Sequence, residues 1–160
     1  MMKIKMKNKK QTIVVASGYF DPIHSGHINY LREAKKLGDK LIVIVNNDYQ
    51  AKLKKGHYFM PVKERKIIIS SIKYVGGVFI SIDKDRSVSK SLARIKPDIF
   101  AVGMDNYKQH LLEKDICDKF GIEIVDRLAR SFILHPSRKQ SSSKIIDDFL
   151  KKKGVVAEQE

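Results

Sequence analysis

The chain has little of what secreted and membrane-spanning proteins need. Cys117 is its only cysteine, so no internal disulfide can form, and a reducing, cytoplasmic setting fits. No apolar run approaches the roughly 18 residues of a membrane span, and the basic N-terminus lacks the apolar stretch of a secretory signal. These absences lead us to expect a cytoplasmic protein with no membrane partner.

Acidic residues are scarce beside basic ones. The chain has 18 Asp and Glu against 32 Lys and Arg, a formal net charge of +14. Such a balance favours anionic partners, namely nucleotides, phosphorylated metabolites, nucleic acid or an acidic membrane surface. A lysine-rich solvated surface with no specific partner would give the same charge, so the charge alone does not choose between these readings.

The domain organisation is predicted to be simple. A length of 160 residues suits one domain with one core, and we find no internal repeat and no low-complexity linker. We expect a basic N-terminal extension at 1–11, a single domain at 12–154 and a C-terminal tail at 155–160.

Short apolar, β-branched runs alternate with helical patterns along this domain. Strands are predicted at 12–17, 40–48, 77–83, 98–103 and 122–128. Helices are predicted at 25–38, 61–75, 87–97, 107–121 and 141–154. The alternation predicts an α/β, Rossmann-like, doubly wound parallel sheet of about five strands with helices on both faces. Ligands of such sheets bind beyond the carboxyl ends of the strands, where the strand order reverses.

The segment "SGYFDPIHSGH" lies between the first predicted strand and the first predicted helix. It places His24 and His27 on either side of Gly26. We expect Ser25 to cap the helix, so that N–H groups and the positive end of the helix dipole face the loop. Gly26 would leave room for a phosphate. The pattern predicts a polyphosphate site, and zinc binding is the weaker alternative because no Cys, Asp or Glu cluster completes a ligand set.

This segment resembles the HxGH signature of the cytidylyltransferase-like nucleotidyltransferases. Further matches follow in order, and they read "KLKKG", "PVKER", "SIKYV", "KPDIFAVGMD" and "SSSKII". The resemblance covers residues 12–147. Within the family, the segments are similar to those of glycerol-3-phosphate cytidylyltransferases, heptose-1-phosphate adenylyltransferases and archaeal FAD synthetases.

The resemblance implies transfer of CMP or AMP, from CTP or ATP, to a small phosphorylated polyol or sugar, with release of pyrophosphate. The attacking phosphate oxygen is already ionised near pH 7, so catalysis consists of alignment and charge neutralisation. Mg²⁺ is expected to bridge the phosphates, held by substrate oxygens and water. A homodimer is the habit of the family. An alternative acceptor is FMN, although the sequence shows no obvious aromatic platform for its ring system.

The resemblance also implies roles for individual residues. The predicted catalytic residues are His24, His27, Lys55 and Arg65, with Lys55 on a mobile lysine-rich loop. The predicted nucleotide-binding residues are Gly18, Tyr19, Phe20, Asp21, Gly26, Lys52, Lys54, Asp105, Arg138, Ser141, Ser142 and Ser143. Lys139 is the alternative to Arg138 for the family's arginine before the last helix. The residues also allow plainer roles: a solvated loop for the lysines, a surface ion pair for Arg65 and a helix cap for the serines.

Two rival functions fit parts of the sequence. A non-catalytic nucleic-acid-binding protein on the same fold would explain the charge, but it would leave the histidine pair and the serines without a task. A relative of aminoacyl-tRNA synthetases would share the HxGH motif, but the chain is too short to include a tRNA-binding domain.

Overall fold

The computed structural model describes residues 10–103, 112–128 and 141–154. Its strands are β1 (Ile13–Gly18), β2 (Lys40–Val45), β3 (Gly77–Ile80), β4 (Ile99–Gly103) and β5 (Glu123–Leu128). Its helices are α1 (Ser25–Lys35), α2 (Asp48–Lys55), α3 (Val62–Ser70), α4 (Ser89–Ile95), α5 (Lys114–Phe120) and α6 (Ser142–Lys152). None of the helices in these segments combines the length and apolar character that a bilayer span requires.

The five strands form one parallel sheet in the order β3-β2-β1-β4-β5. The chain builds outward from β1 through β2 to β3 and then crosses to β4 on the other side of β1. The strand order therefore reverses between β1 and β4, where Val15 pairs with Phe100. This confirms the predicted fold. In sheets of this kind the crevice that binds ligands lies at the carboxyl ends of the two strands between which the order reverses.

Apolar side chains cover both faces of the sheet. Val14 points to the face that packs against Leu31 of α1, whereas its neighbour Val15 points to the face that packs against Leu92 of α4 and Cys117 of α5. All five of these side chains are buried, and each large apolar one contributes about 1.5–3 kcal/mol by leaving water. Burial on both faces explains why the strands are continuously apolar.

The main departure from prediction is α2, which forms where we expected a mobile loop. Asn47 caps this helix: its side chain accepts the N–H of Gln50 at 2.9 Å, and Gln50 Oε1 accepts the N–H of Asn47 at 3.2 Å. This reciprocal pair is a capping box, visible in the sequence as "NDYQ". Gly56 ends the helix at φ 79°.

Other differences concern ends and tails. Several helices are shorter than predicted, and the first part of the predicted helix at 107–121 falls in 104–111, outside the described residues. Residues 1–9 and 155–160 also lie outside them. The division into one domain and two tails therefore stays a prediction.

Candidate active site

The two signature histidines lie together at the carboxyl end of β1. The imidazoles of His24 and His27 stack with ring centroids 3.8 Å apart and an interplanar angle of 27°. Both residues are half-buried, so the pair is neither splayed nor sealed in the core. The N-cap of α1 is His24 rather than the predicted Ser25, because His24 Nδ1 accepts the N–H of Gly26 at 3.2 Å.

The hydrogen bonds of the pair determine which ring nitrogen carries a proton. His27 Nδ1 accepts the backbone N–H of His24 at 3.3 Å, and His24 Nδ1 accepts from Gly26. With each Nδ1 acting as an acceptor, the ring proton resides on Nε2. Burial, followed by the proximity of His24 and Lys55, lowers the pKa of His27 to about 3. His27 is therefore a neutral donor at pH 7, and positive charge must come from other residues.

Two glycines make this arrangement possible. A Cβ on Gly26 would lie 3.0 Å from Cε1 and Nδ1 of His24, so glycine lets the His24 ring fold over the first turn of α1. This space is occupied by His24 itself, whereas we had expected it to admit a phosphate. A Cβ on Gly18 would lie 2.9 Å from Cζ of Phe20. The buried Phe20 ring in turn meets His27 edge to face at 4.9 Å.

The C-terminal turn of α2 brings lysines to the segment at 19–27, which carries both histidines and which we call the histidine loop. Lys55 Nζ donates to the carbonyl oxygen of Asp21 at 3.1 Å, and burial lowers the pKa of Lys55. Lys54 Nζ lies 4.4 Å from the centroid of the Tyr19 ring. Lys52 instead lies over Tyr58, at 5.5 Å. Lys54 and Lys55 thus join the site from a helix and not from the predicted loop.

Arg65, predicted to be catalytic, is completely buried. Its Nε donates to the carbonyl oxygen of Met60 at 2.8 Å, and Nη1 donates to those of Tyr19 at 2.9 Å and Asn46 at 2.7 Å. Its Nη2 donates to Asp48 Oδ1 at 2.6 Å. The guanidinium therefore ties the ends of β1 and β2 to α2, which makes Arg65 a positioning residue. The alternative of a surface ion pair is wrong.

Asp21, predicted to bind nucleotide, also has a structural task. Its carboxylate is buried and accepts the N–H groups of Phe59 and Met60, each at 2.7 Å. These bonds attach the segment after α2 to the histidine loop. The structure therefore corrects the prediction for this side chain, which holds the loop in place and has no surface turned to a nucleotide.

The N-terminus of α6 docks on the same loop. Ser141 caps the helix by accepting the N–H of Lys144 at 3.2 Å, and Ser142 Oγ donates to the carbonyl oxygen of Pro22 at 2.8 Å. Ser143 is exposed in the first turn. The Ser142 contact thus attaches the start of α6 to the segment that precedes His24. Binding of the triphosphate by the three serines stays a prediction.

Three predicted residues cannot be located in this arrangement. Asp105, Arg138 and its alternative Lys139 lie outside the described residues. Their predicted contacts with the nucleotide stay predictions.

Comparison with known proteins agrees with this geometry. The cytidylyltransferase-like family model matches residues 15–148. The chain belongs to the cytidylyltransferase-like family. It is a nucleotidyltransferase, as predicted.

Named relatives and solved structures extend the match. The FAD synthase of Thermococcus kodakarensis is 34% identical over 143 residues, which span 88% of this nucleotidyltransferase and 94% of the relative. The bifunctional protein HldE of Desulfatibacillum aliphaticivorans is 30% identical over 150 residues, 93% of this chain but 29% of that protein. The lipopolysaccharide core biosynthesis protein of Thermoplasma volcanium has 34% identity and a TM-score of 0.65, covering 74% of this chain and 97% of that one.

Beside the histidine loop, the nucleotidyltransferase has a cavity of about 20 Å³ at the carboxyl ends of β1 and β4. This is room for one water molecule. Its polar lining includes Tyr19, Arg86 and Glu113, and Phe100 and Val102 form apolar walls. Sequence reasoning missed Arg86 and Glu113 because no local motif marks them; only the fold brings them to Tyr19.

Proposed function

We propose that this nucleotidyltransferase transfers AMP from ATP to a phosphorylated acceptor and releases pyrophosphate. The observation that carries the proposal is that His24, His27, Lys55 and the α6 N-terminus converge on one loop. This loop follows β1, at the place where the strand order of the sheet reverses. AMP is favoured over the CMP also considered, because the relatives named above include FAD synthase, whose product contains AMP, and HldE.

FMN is the first acceptor that we propose. The FAD synthase match extends over nearly the whole of both chains. A sugar phosphate is the second candidate, supported by the identity to HldE and to the lipopolysaccharide core protein.

In the proposed reaction, an oxygen of the acceptor phosphate attacks the α-phosphorus of ATP. A new P–O bond forms, the bond to the pyrophosphate bridging oxygen breaks, and its electron pair leaves with pyrophosphate. The acceptor phosphate is already ionised, so no general base is needed, and the site's task is to align groups and stabilise charge.

The histidines and lysines divide this task. His24 and His27 donate Nε2–H hydrogen bonds to phosphate oxygens, His27 as a neutral group, while Lys55 and Lys54 supply positive charge. Because Lys55 is held partly out of water by its contact with Asp21, its charge acts on phosphate with less screening. N–H groups at the start of α6 add further donors.

Mg²⁺ fits this site as an ion that arrives with the nucleotide. Within the described segments no group of three or more His, Cys, Asp or Glu could hold a metal, and the carboxylate of Asp21 is already occupied by backbone N–H groups. Phosphate oxygens and water are common Mg²⁺ ligands. The ion would neutralise phosphate charge as pyrophosphate leaves.

A pyrophosphate-release assay tests the proposal. The protein is incubated with Mg²⁺ and either ATP or CTP, against FMN, sugar 1-phosphates and glycerol 3-phosphate. We expect turnover with ATP and with one phosphorylated acceptor. Turnover with CTP alone would contradict the choice of nucleotide, and turnover with no pair would contradict the proposed function.

We also propose that the enzyme is a cytoplasmic homodimer. The location is supported by the chain's one cysteine, Cys117, which is buried and whose pKa burial raises to about 11, so that it stays a thiol. The dimer is supported by the family resemblance alone. Sedimentation equilibrium distinguishes a dimer from a monomer.

A further inference from the structure

The hydroxyl of Tyr19 is not explained by the fold. Tyr19 is 8% exposed, and its Oη is the only buried side-chain N or O atom in the described segments without a hydrogen-bond partner. Leaving such a group unpaired costs about 1–3 kcal/mol, and buried polar groups are seldom left so. The other parts of Tyr19 have partners: its carbonyl oxygen accepts a hydrogen bond from Arg65, and its ring lies under Lys54.

A buried carboxyl lines the cavity that Tyr19 also lines. Glu113 is 4% exposed, and one of its oxygens, Oε1, accepts the N–H of Val88 at 2.8 Å. Burial chiefly, with Asp83 and Asp85 adding repulsion, raises the pKa of Glu113 to about 7. Burial raises the pKa of the Tyr19 hydroxyl, and the charges of Arg86 and Glu113 add smaller effects of opposite sign.

The cavity has the character of a recognition pocket for a neutral polar group. Arg86 is exposed, and its Nη2 donates to the carbonyl oxygen of Leu53 at 3.1 Å. Phe100 and Val102 are apolar and buried. Apolar walls around a few polar groups are the usual composition of a small-molecule site. The volume of about 20 Å³ admits one polar group, the end of a ligand rather than its body.

We propose that Tyr19 and Glu113 form a subsite that binds an uncharged O–H or N–H group of the acceptor, at the end remote from its phosphate. The Glu113 carboxyl would accept the hydrogen bond, and the Tyr19 hydroxyl would gain the partner that it lacks. A flavin imide N–H and a sugar hydroxyl both have this chemistry. The inference rests on the proposed function, because the acceptor's phosphate has to lie at the histidine loop.

Acceptor and nucleotide kinetics of Tyr19→Phe and Glu113→Gln test the subsite. For either FMN or a sugar 1-phosphate, whichever the wild type uses, we expect the acceptor KM to rise about tenfold in each variant, the loss of one hydrogen bond. The KM for ATP should stay within about twofold. Because the Tyr19 hydroxyl has no partner in the fold, Tyr19→Phe should not lower the melting temperature, which a purely structural hydroxyl would do.

Tyr74→Phe, the same substitution in the α3–β3 connection, is the matched control and should leave both KM values unchanged. An unchanged acceptor KM in Tyr19→Phe would overturn the inference, and so would a rise in the KM for ATP instead. If Glu113→Gln does not fold, Tyr19→Phe alone decides. Absence of wild-type turnover with every acceptor is a different result: it overturns the proposed function, and the subsite with it.

Discussion

At the scale of single residues, the site is built from side chains that are held by backbone groups. His24 Nδ1 accepts an N–H of the first turn of α1, and His27 Nδ1 accepts that of the N-cap. Asp21 accepts two N–H groups from the segment after α2. Each bond fixes the direction of a side chain before any ligand arrives, which is the preorganisation that phosphoryl transfer requires.

The low pKa of His27 predicts a specific loss of stability in acid. The pKa is about 3 in the folded protein against 6.5 for the ordinary side chain. Below pH 6.5 the unfolded chain therefore binds a proton that the folded protein does not, and the free energy of unfolding falls until the pH reaches about 3. Between pH 7 and pH 5 this group should cost about 2 kcal/mol.

Urea denaturation of the wild type and of His27→Gln at both pH values measures this cost. The wild type should lose about 2 kcal/mol more than the variant over the interval. Other titrating groups, Glu113 included, are common to both proteins and cancel in the comparison. Equal losses would show that His27 titrates normally in the folded state.

At the scale of elements, α2 and the buried Arg65 organise the crevice. Asn47 Nδ2 donates to the carbonyl oxygens of Ser81 and Asp83, each at 2.9 Å, so the start of α2 is attached to the connection between β3 and α4. Arg65 attaches the same helix to the ends of β1 and β2. The position of Lys55 therefore depends on buried polar contacts and not on a flexible loop.

Arg65→Lys should destabilise the protein by about 2–4 kcal/mol, because lysine keeps the buried charge but lacks the planar fork that reaches four acceptors. Equilibrium denaturation measures the change. Arg94→Lys, at an exposed position of α4, is the control and should stay within about 0.5 kcal/mol of the wild type. A loss as small in Arg65→Lys as in the control would refute the positioning role.

Asn47→Ala tests the cap of α2. The variant removes the bond to the N–H of Gln50 and both bonds to the β3–α4 connection. We expect a destabilisation of about 1–3 kcal/mol. Asn29→Ala, within α1 and away from its cap, is the matched control, since alanine favours a helix interior. If the two variants are equally stable, α2 does not depend on its capping box.

At the scale of the whole molecule, the fold was predictable because fully apolar strands alternate with helices, and only a parallel sheet covered on both faces buries them. The histidine loop was predictable because its residues are contiguous. The prediction of a mobile loop at α2 was wrong. It followed from the run of lysines and took no account of the capping box in "NDYQ". Tyr19 and Glu113 could not be paired from the sequence, because they are far apart along the chain and line the same cavity only in the folded protein.

The net charge of +14 also acts at this scale. It predicts non-specific binding of DNA or RNA that weakens steeply between about 50 and 200 mM salt, because the entropy gained by releasing counterions shrinks as the salt concentration rises. Turnover should persist over that range, because it depends on short contacts inside the crevice. Fluorescence anisotropy with a labelled oligonucleotide, run beside the pyrophosphate assay, measures both. Salt-resistant nucleic-acid binding without turnover would favour the non-catalytic rival.

The most direct test of the central claim, that the stacked imidazoles bind the phosphates during nucleotidyl transfer, is the turnover of His24→Ala and His27→Ala. Each variant should lose at least about a hundredfold in kcat, or about 2.7 kcal/mol of transition-state stabilisation. Ser25→Ala, the exposed residue between them, should keep near-normal turnover. Near-normal rates in both histidine variants, with the wild type active, would contradict the account.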